Sequence, residues 1–394
     1  MFLNRITILN YRNIAECDLA FSPKINCFLG NNGMGKTNLL DAIYYLSFCK
    51  SHLNSVDNQI IKYDADFFII QGKYVFDDKT ESIFCGVKRR HKKQFMRNKK
   101  EYERLADHIG FVPLVLVSPA DSSLIVGGSE ERRRFMDIVI SQYDRQYLDN
   151  LMIYNSLLQN RNTLLKNSEK IDDTILEILE EKLCAVAQSI FDSRKKFIDN
   201  FIPVFKNFYN KIANSVICHC GTELSSTFPQ FLGNTNDSDF RQNGEKKEEV
   251  DLLYTSHLQQ NTILKEQFLQ TRERDKILGF TTHGIHKDDL KMTLQNFPLK
   301  NTGSQGQNKT FVVAMKLAQF IFLKNVGKKT PILLLDDLFD KLDTERVIKI
   351  IDVISQDDFG QIFITDTNRK HLNEILSKTE IESKIFFVEN GKIN

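Results

Sequence analysis

The sequence lacks long apolar segments. No apolar run in its 394 residues reaches the roughly 20 residues that a membrane-spanning helix needs. The N-terminal residues alternate apolar and polar types like a β-strand, without the apolar core and small-residue cleavage site of a signal peptide. We therefore expect a cytoplasmic protein that is neither exported nor embedded in a membrane.

Paired cysteines are also absent. The seven cysteines are odd in number and scattered, without the spacing of a disulfide framework or a zinc site. Cys218, His219 and Cys220 stand together, but no second pair of ligands follows them. A strand through the apolar residues Val216 and Ile217 explains this cluster, so we predict no metal there.

Neither sign of charge is in excess. Lys and Arg number 53 against 51 Asp and Glu, which gives a formal net charge of +2. Any contact with nucleic acid must then come from a local patch. We find no internal repeat and no heptad pattern long enough for an extended coiled coil. With 41% hydrophobic residues the chain can bury a substantial core, and we expect two domains.

Apolar spacing predicts an α/β part at each end of the chain and a helical part between them. Helical spacing fills residues 129–214, and residues 233–250 have the composition of an exposed polar excursion. The other elements are strands at 25–29, 67–70, 83–87, 114–117, 290–294, 331–335, 361–364 and 385–388, and helices at 37–48, 309–324 and 343–354.

A glycine-rich stretch follows the first buried strand and opens a helix. It reads GNNGMGKT and fits the P-loop pattern fully, in the strand, loop, helix context that a P-loop requires. Its glycines let backbone N–H groups close around phosphate, Lys36 neutralises phosphate oxygens, and Thr37 is a ligand for Mg²⁺. We predict that ATP is bound by Gly30, Asn31, Asn32, Gly33, Met34, Gly35, Lys36 and Thr37.

An acidic pair ends a strand near the other end of the chain. The run ILLLDD places Asp336 at the carboxyl edge of a buried strand, where it would hold Mg²⁺ with Thr37. Asp337 would polarise the attacking water. Most hydrolases of this arrangement carry Glu there, and the shorter Asp predicts slow hydrolysis. The predicted catalytic residues are therefore Lys36, Asp336 and Asp337.

The turn SQGQ at residues 304–307 precedes a helix. It resembles the signature motif of ABC-type ATPases, in which a serine and a helix N-terminus bind the γ-phosphate held by the opposite subunit. This resemblance implies an ATP-dependent homodimer with nucleotide contacts from Ser304, Gly306, Gln307 and the D-loop residue Asp343. Taken alone, Ser304 reads as an ordinary helix N-cap.

The distance between these motifs distinguishes classes of ABC protein. Lys36 and Ser304 lie 268 positions apart, and a compact helical region fills the interval. A transporter subunit places its signature motif much nearer to its P-loop, whereas an SMC-type protein inserts a long coiled coil. The spacing favours a small SMC-like protein without arms.

The sequence is similar to the RecF family of bacterial recombination and repair ATPases over nearly its whole length. The resemblance rests on LNYRNI (9–14), the long stretch from 30 to 52, LVSPADSSLIVGGSEERRRFMD (116–137), RNTLLK (161–166), GFTTHGIHKDDL (279–290), SQGQ and PILLLDDLFDKLD (331–343). The sequence departs from the family pattern in having Ala120 for an acid, Ile285 for a proline and Asp340 for a serine. We assign no catalytic role to the loop around Ala120.

The resemblance implies a fold, a function and partners. The fold is α/β, a two-lobed ABC-type P-loop ATPase head formed by residues 1–118 and 276–394, with a mainly helical domain inserted at 119–275. The function is ATP-dependent DNA binding in recombinational repair, with dimerisation on ATP and release by slow hydrolysis. The ligands are ATP, Mg²⁺ and double-stranded DNA near single-strand gaps, and the partners are RecR, with RecO, and indirectly RecA.

A basic stretch at residues 88–100 is the predicted DNA patch. It contains eight Lys or Arg and no acid, and Asn98 with Lys99 suits a hairpin turn. A mobile hairpin bearing Phe95 would lie along a phosphate backbone. The alternative is a solvated edge hairpin kept soluble by lysines. The patch residues are Lys88, Arg89, Arg90, Lys92, Lys93, Arg97 and Lys99.

Two other charged clusters allow more than one interpretation. Arg132 to Arg134 would face DNA, the partner subunit, or acids of the chain itself. His286, Asp288 and Asp289 suggest hydrolytic chemistry at first sight, but they lack a nucleophile. We therefore predict ion pairing at a strand end for this second cluster.

Two other functions compete with a repair ATPase. In the first alternative the protein is a DNA clamp for which ATP is mainly a dimerisation ligand, and the short Asp337 side chain is compatible with this function. In the second alternative the protein is the ATPase subunit of a membrane transporter, and this function predicts no affinity for DNA. The helical insertion and the basic hairpin argue against a transporter.

Overall fold

The computed structural model describes residues 1–54, 56–77, 79–167, 173–213, 248–259, 263–338, 344–355, 359–367 and 382–393. The strands are Phe2–Tyr11 (β1), Ile14–Ala20 (β2), Ile25–Leu29 (β3), Phe67–Phe76 (β4), Lys79–Lys88 (β5), Gln94–Arg97 (β6), Lys100–Glu101 (β7), Leu114–Val117 (β8), Val250–Thr255 (β9), Asp289–Leu294 (β10), Phe297–Pro298 (β11), Ile332–Leu335 (β12), Ile362–Asp366 (β13), Ser383–Glu389 (β14) and Lys392–Ile393 (β15).

The α-helices are Lys36–Phe48 (α1), Ser123–Val126 (α2), Ser129–Ser141 (α3), Arg145–Asn167 (α4), Asp173–Ala213 (α5), Leu264–Leu278 (α6), Leu299–Thr302 (α7), Gln305–Val326 (α8) and Thr344–Ile354 (α9). The predicted helices and strands that fall on described residues are confirmed, with shifts at their ends, whereas the strand predicted through Val216 and Ile217 lies outside the described residues. The helix predicted at 309–324 begins four residues earlier, because Ser304 forms a capping box with Gln307. Cys218 to Cys220, Asp340 and Asp343 lie outside the described residues, as does most of the excursion.

Two six-stranded sheets enclose the first helix. The first sheet is antiparallel, in the order β2-β1-β4-β5-β6-β7, and the second has the order β15-β14-β3-β13-β12-β8. In the second sheet β14, β3, β13, β12 and β8 run parallel. Helix α1 is almost wholly buried between the sheets, in a cluster that includes Leu39, Ile43 and Leu46.

The second sheet has an apolar cluster on each face. Residues Ile25, Cys27 and Leu29 of β3 join the cluster that contains the long helices, whereas Phe28 joins the cluster around α1. Every residue of β3 and of β12 is buried. Burial on both faces explains why these strands read as continuous apolar runs.

The long helix α5 of the helical part packs directly on α8, the helix that follows the SQGQ turn. Phe205 of α5 contacts Phe311 of α8 with 4.7 Å between ring centroids, and Phe197 contacts Phe322 at 5.1 Å. A three-stranded sheet of β9, β10 and β11 also lies here, and Leu290 pairs with Tyr254 in it. The sequence predicts a domain boundary between residues 275 and 276, but β9 and β10, which lie on either side of it, belong to one sheet. The division of the chain into domains at 118/119 and 275/276 therefore stays a prediction.

Among the helices that the structure describes, none combines the length and the apolar character that crossing a membrane would require.

Candidate nucleotide site

The P-loop follows β3 and is shaped by its glycines. Gly33 has φ 81° and Gly35 has φ 111°, left-handed backbone conformations that glycine adopts without strain. A side chain at Gly30 would lie 2.3 Å from the carbonyl oxygen of Val388. The glycine spacing of the motif therefore reflects two backbone conformations and one close approach to β14.

Lys36 folds back over the loop. Its Nζ donates to the carbonyl oxygens of Gly30 at 2.7 Å and Asn31 at 3.1 Å, and its side chain is 3% exposed. The Asp337 carboxylate lies 4.0 Å from the same nitrogen. The ammonium group is thus held at the centre of the loop, where a phosphate group would replace the carbonyl contacts.

Thr37 and Asp336 meet at the start of α1. Thr37 donates from Oγ1 to Asp336 Oδ1 at 3.0 Å, and the backbone N–H of Asp336 donates to Val117 in β8 at 2.9 Å. Burial raises the pKa of Asp336, and hydrogen bonds from Thr365 and Thr37 offset part of this effect. A hydroxyl and a carboxylate are hard oxygen donors of the kind that Mg²⁺ prefers.

Thr365 is a site residue that sequence reasoning missed. Its hydroxyl donates to Asp336 Oδ1 at 2.7 Å and accepts the backbone N–H of Asp337 at 2.9 Å. Asp337 has φ 41°, an uncommon conformation for a residue other than glycine. Since β13 lies between β3 and β12 in the sheet, its end is central to the site.

Asn13 and Gly391 brace the P-loop from two other elements. Both contact the carbonyl oxygen of Met34: Asn13 Nδ2 donates to it at 3.2 Å, and the backbone N–H of Gly391 donates at 2.9 Å. Asn38 in turn donates to Asn13 Oδ1 at 2.7 Å. Asn13 belongs to LNYRNI, one of the stretches behind the family resemblance, and that was the only signal in the sequence for its role.

The predicted signature turn caps α8. Ser304 Oγ accepts the backbone N–H of Gln307 at 3.2 Å, and Gln307 Oε1 accepts the backbone N–H of Ser304 at 2.8 Å. Ser304 is exposed, and the Arg346 guanidinium lies beside Gly306. Ser304 is therefore an N-cap whose hydroxyl stands at a helix N-terminus on the surface.

A cavity of about 670 Å³ lies between the P-loop, the acidic end of β12 and the start of α8. Its lining includes Asn32 and Gly33 of the P-loop, Gln305 and Asn308 of α8, and Asp337. The chain therefore brings the P-loop, the acidic strand end and the start of α8 to one cleft, although they are far apart in sequence.

The basic hairpin has the predicted turn but a different role for three of its side chains. Asn98 and Lys99 have φ 50° and 67°, which suits a tight hairpin turn. Phe95 is only 1% exposed, so the expectation that it reaches a phosphate backbone is wrong. Its ring packs against His108, with centroids 4.7 Å apart, because β6 turns it into the core.

Lys93 and Arg97 are engaged within the fold. Lys93 Nζ lies 2.7 Å from Asp57 Oδ2 and donates to Tyr45 Oη and to the Cys49 carbonyl, each at 2.8 Å. Arg97 makes a bidentate pair with Glu81, with both contacts at 2.8 Å. These two cations are not the free patch residues that the sequence predicted. The exposed patch residues are Lys88, Arg89, Arg90, Lys92 and Lys99.

In the other two charged clusters, Arg132, Arg133, Asp288 and Asp289 are all bonded within the chain. Arg132 donates to both carboxylate oxygens of Asp289, at 2.6 and 3.1 Å, and Arg133 donates to the Asp288 carbonyl at 2.7 Å. Asp288 is fully buried against Arg194 at 2.8 Å. The prediction of ion pairing at a strand end is confirmed.

Known sequences resemble this chain over its full length. The family model described as RecF/RecN/SMC N terminal domain matches residues 2–394. The DNA replication and repair protein RecF of Bacteroides thetaiotaomicron is 52% identical over 395 residues, which cover 100% of this chain and 98% of that protein. The protein of the same name from Porphyromonas gingivalis is 44% identical, with 100% of each chain covered.

Solved structures give the same result. The recombination mediator protein RecF with ATP, from the RecFOR pathway, is 26% identical with a TM-score of 0.82, covering 100% of this chain and 97% of that one. The Smc head domain of Pyrococcus furiosus, 15% identical with a TM-score of 0.55, covers 100% and 95% and shares the fold. The fold is therefore an α/β ABC-type ATPase head, and the chain belongs to the RecF family.

Proposed function

We propose that this protein is an ATP-dependent DNA-binding protein of recombinational repair. It dimerises when it binds ATP, is released by slow hydrolysis, and acts on double-stranded DNA near single-strand gaps. The observation that carries this proposal is the convergence of Lys36, Thr37, Asp336 and Asp337 at adjoining strand ends. The relatives named for DNA replication and repair support the pathway.

ATP is held by the P-loop and Mg²⁺ by Thr37 with Asp336. The backbone N–H groups of the loop and the start of α1 bind the phosphates, and Lys36 exchanges its two carbonyl contacts for phosphate oxygens. Mg²⁺, when bound, neutralises charge that develops on the phosphate oxygens. The solved RecF structure that contains ATP supports the choice of nucleotide.

Asp337 orients the attacking water. Its carboxylate is 28% exposed and lies 4.0 Å from Lys36 Nζ. Thr365 fixes its backbone N–H. An aspartate reaches less far than a glutamate, so proton abstraction is inefficient and turnover is slow. Slow turnover gives the ATP-bound dimer time to act on DNA.

Dimerisation places Ser304 of one chain on the nucleotide bound by Lys36 of the other. The serine is exposed at the N-terminus of a 22-residue helix, where backbone N–H groups favour an anion. Gly306 and Gln307 belong to the same turn, and Asp343 is the D-loop residue of this arrangement. Each complete site then requires two chains.

DNA binds to the exposed residues of the basic hairpin, Lys88, Arg89, Arg90, Lys92 and Lys99. The partners RecR, with RecO, and indirectly RecA follow from family membership. In that pathway the protein helps RecA replace single-strand-binding protein at a gap.

A second candidate is a DNA clamp for which ATP serves mainly as a dimerisation ligand. The short Asp337 side chain favours it, because it reaches less far toward a water molecule than glutamate would. Both candidates require ATP for closure, but only the first requires hydrolysis for release.

Two variants test these functions. Lys36→Ala removes the phosphate contact, so ATP-dependent dimerisation and DNA binding should both be lost, whereas Lys195→Ala on the exposed face of α5 should change neither. If Lys36→Ala keeps both in the presence of ATP, both functions are wrong. Asp337→Asn should retain ATP and the dimer but stop phosphate release. Dimer dissociation at the unchanged rate in Asp337→Asn would favour the second candidate.

A further inference from the structure

The base of the basic hairpin is fastened to the end of α1. Lys93 donates to the carbonyl oxygen of Cys49, the C-cap of α1, and to the Tyr45 hydroxyl. Lys50, the next residue after Cys49, is exposed. The bond between Lys93 and Cys49 therefore brings two exposed lysines to the same region, since Lys92 is the sequence neighbour of Lys93 and Lys50 is the sequence neighbour of Cys49.

Arg134 of α3 extends the same surface. It lines a cavity of about 160 Å³ together with His52, two residues beyond Lys50. Arg132 donates a hydrogen bond to Asp289, and Arg133 donates one to the carbonyl oxygen of Asp288. Arg134 is exposed, and the structure gives it no hydrogen bond or ion pair with any described residue.

The positive charges here are only partly balanced. Asp57 is paired with Lys93 at 2.7 Å, and Asp121, which lines the cavity, is paired with Lys316 at 2.6 Å. Glu131 also lines the cavity, one helical turn before Arg134.

Like charges act on Lys50 itself. Desolvation by the surrounding chain, with the charges of Arg134 and Lys93, lowers the pKa of the Lys50 ammonium group. An anion bound here would relieve this repulsion.

We propose that Lys50 and Arg134 join the hairpin in one continuous surface that binds the phosphate backbone of double-stranded DNA. The cations stand on fixed elements: the end of α1, helix α3, and a hairpin held by Lys93. A fixed row of charges suits a stiff duplex, whose phosphates neutralise it without ordering a flexible strand. The inference rests on the proposed DNA-binding function and specifies where the duplex lies.

The test is a salt titration of duplex binding in the presence of ATP and Mg²⁺, followed by fluorescence anisotropy of a labelled duplex. Each lost phosphate contact lowers the slope of log K against log salt concentration by about 0.9. The double variant Lys50→Gln/Arg134→Gln should therefore lower the slope by about 1.8 and weaken binding at every duplex sequence. Lys50→Arg/Arg134→Lys should keep the slope, because it keeps the charge.

Glu131→Gln is the opposite-sign control. It removes the acid from the cavity that Arg134 lines, so it should tighten duplex binding. Lys195→Ala, an exposed lysine of α5 that pairs with Asp199, should leave the slope unchanged. Binding of a fluorescent ATP analogue and the melting temperature are measured for every variant. If the double variant is unfolded, the single variants should each lower the slope by about 0.9.

The outcomes separate the two proposals. If the wild-type protein binds no duplex with ATP, the proposed function itself fails. If the wild-type protein binds with a clear salt dependence and the glutamine variants keep its slope, the inference is wrong and the function stands. The inference is also wrong if the glutamine variants bind a single strand of the same sequence less tightly but bind the duplex as the wild-type protein does.

Discussion

Glu248 accepts a hydrogen bond from Gln307 Nε2 at 2.7 Å. The other end of the Gln307 amide caps the backbone N–H of Ser304, and the Tyr209 hydroxyl at the end of α5 also donates to Glu248. The orientation of the signature turn thus depends on an acid near the end of the polar excursion, two residues before β9 begins.

Glu248→Ala should weaken the ATP-driven dimer. The substitution frees the Gln307 side chain and loosens the Ser304 cap, at about 1 kcal/mol per site. Two sites per dimer would make the dimer dissociation constant about tenfold to thirtyfold larger. Sedimentation velocity with ATP measures this change, and nucleotide binding by the P-loop should stay unchanged. Glu248→Gln keeps an acceptor oxygen and serves as the control. A variant that loses nucleotide affinity and dimer affinity equally would contradict this role.

Thr365→Val should raise the Mg²⁺ requirement. Valine has nearly the shape of threonine but no hydroxyl, so Asp336 loses one hydrogen bond and the N–H of Asp337 loses its acceptor. We expect the Mg²⁺ concentration at half-maximal ATP hydrolysis to rise about tenfold, for a free-energy change of about 1.4 kcal/mol. ATP binding without Mg²⁺ should not change, since Lys36 and the loop carry it.

Thr365→Ser is the matched control for this prediction, because it keeps the hydroxyl. It should restore the Mg²⁺ dependence of the wild-type protein. A purely structural role would give a lower melting temperature in Thr365→Val with an unchanged Mg²⁺ requirement, and that result would rule out the positioning role.

The sequence was sufficient to predict the local parts of the site. Glycine spacing, one lysine and an aliphatic run define Lys36 and Asp336 because the P-loop and a buried strand end are each continuous in sequence. The role of Thr365 was not predictable, because it depends on β13 lying between β3 and β12 in the sheet. Strand order is a long-range property that no local pattern encodes.

The DNA patch shows the same limit. Eight cations in one stretch look equivalent in sequence, and only tertiary contacts separate Lys93, which is 16% exposed beside Asp57, from Lys92, which is exposed. Phe95 was mistaken for a surface residue for a related reason. Its burial follows from pairing with Cys85 in the adjacent strand.

Arg194→Met should destabilise the protein strongly. Arg194 is buried and donates to Asp288 at 2.8 Å, to Asp137 at 2.9 Å and to the Ile285 carbonyl at 2.9 Å. Removing it leaves Asp288 charged and buried, which costs about 3–5 kcal/mol. Urea denaturation measures the free energy of unfolding. Arg194→Met/Asp288→Asn should recover part of the loss, and Lys195→Ala on the adjacent exposed position should stay within about 0.5 kcal/mol of wild type. A loss in Arg194→Met no larger than in Lys195→Ala would contradict this prediction.

The buried His108 and the partly buried His286 should make the fold sensitive to acid. Burial lowers the pKa of His108 to about 4 and that of His286 to about 4. His108 contacts the Leu46 carbonyl at 2.7 Å and the Tyr102 hydroxyl at 3.1 Å, and His286 contacts Tyr154 and the Thr281 carbonyl, so each neutral ring has partners for both nitrogens.

The direction of the pH dependence follows from the lowered pKa values of the two histidines. An unfolded histidine takes up a proton near its usual pKa of about 6.5, whereas the folded rings stay neutral until about pH 4. The stability that the neutral rings provide is therefore complete above pH 6.5 and is lost as the pH falls from 6.5 to 4. Each histidine contributes a slope of up to about 1.4 kcal/mol per pH unit in that window. Urea denaturation between pH 7 and pH 4.5 should show this loss, and His108→Gln should lower the slope by up to about 1.4 kcal/mol per pH unit. An unchanged slope in His108→Gln would show that His108 does not contribute to the acid sensitivity.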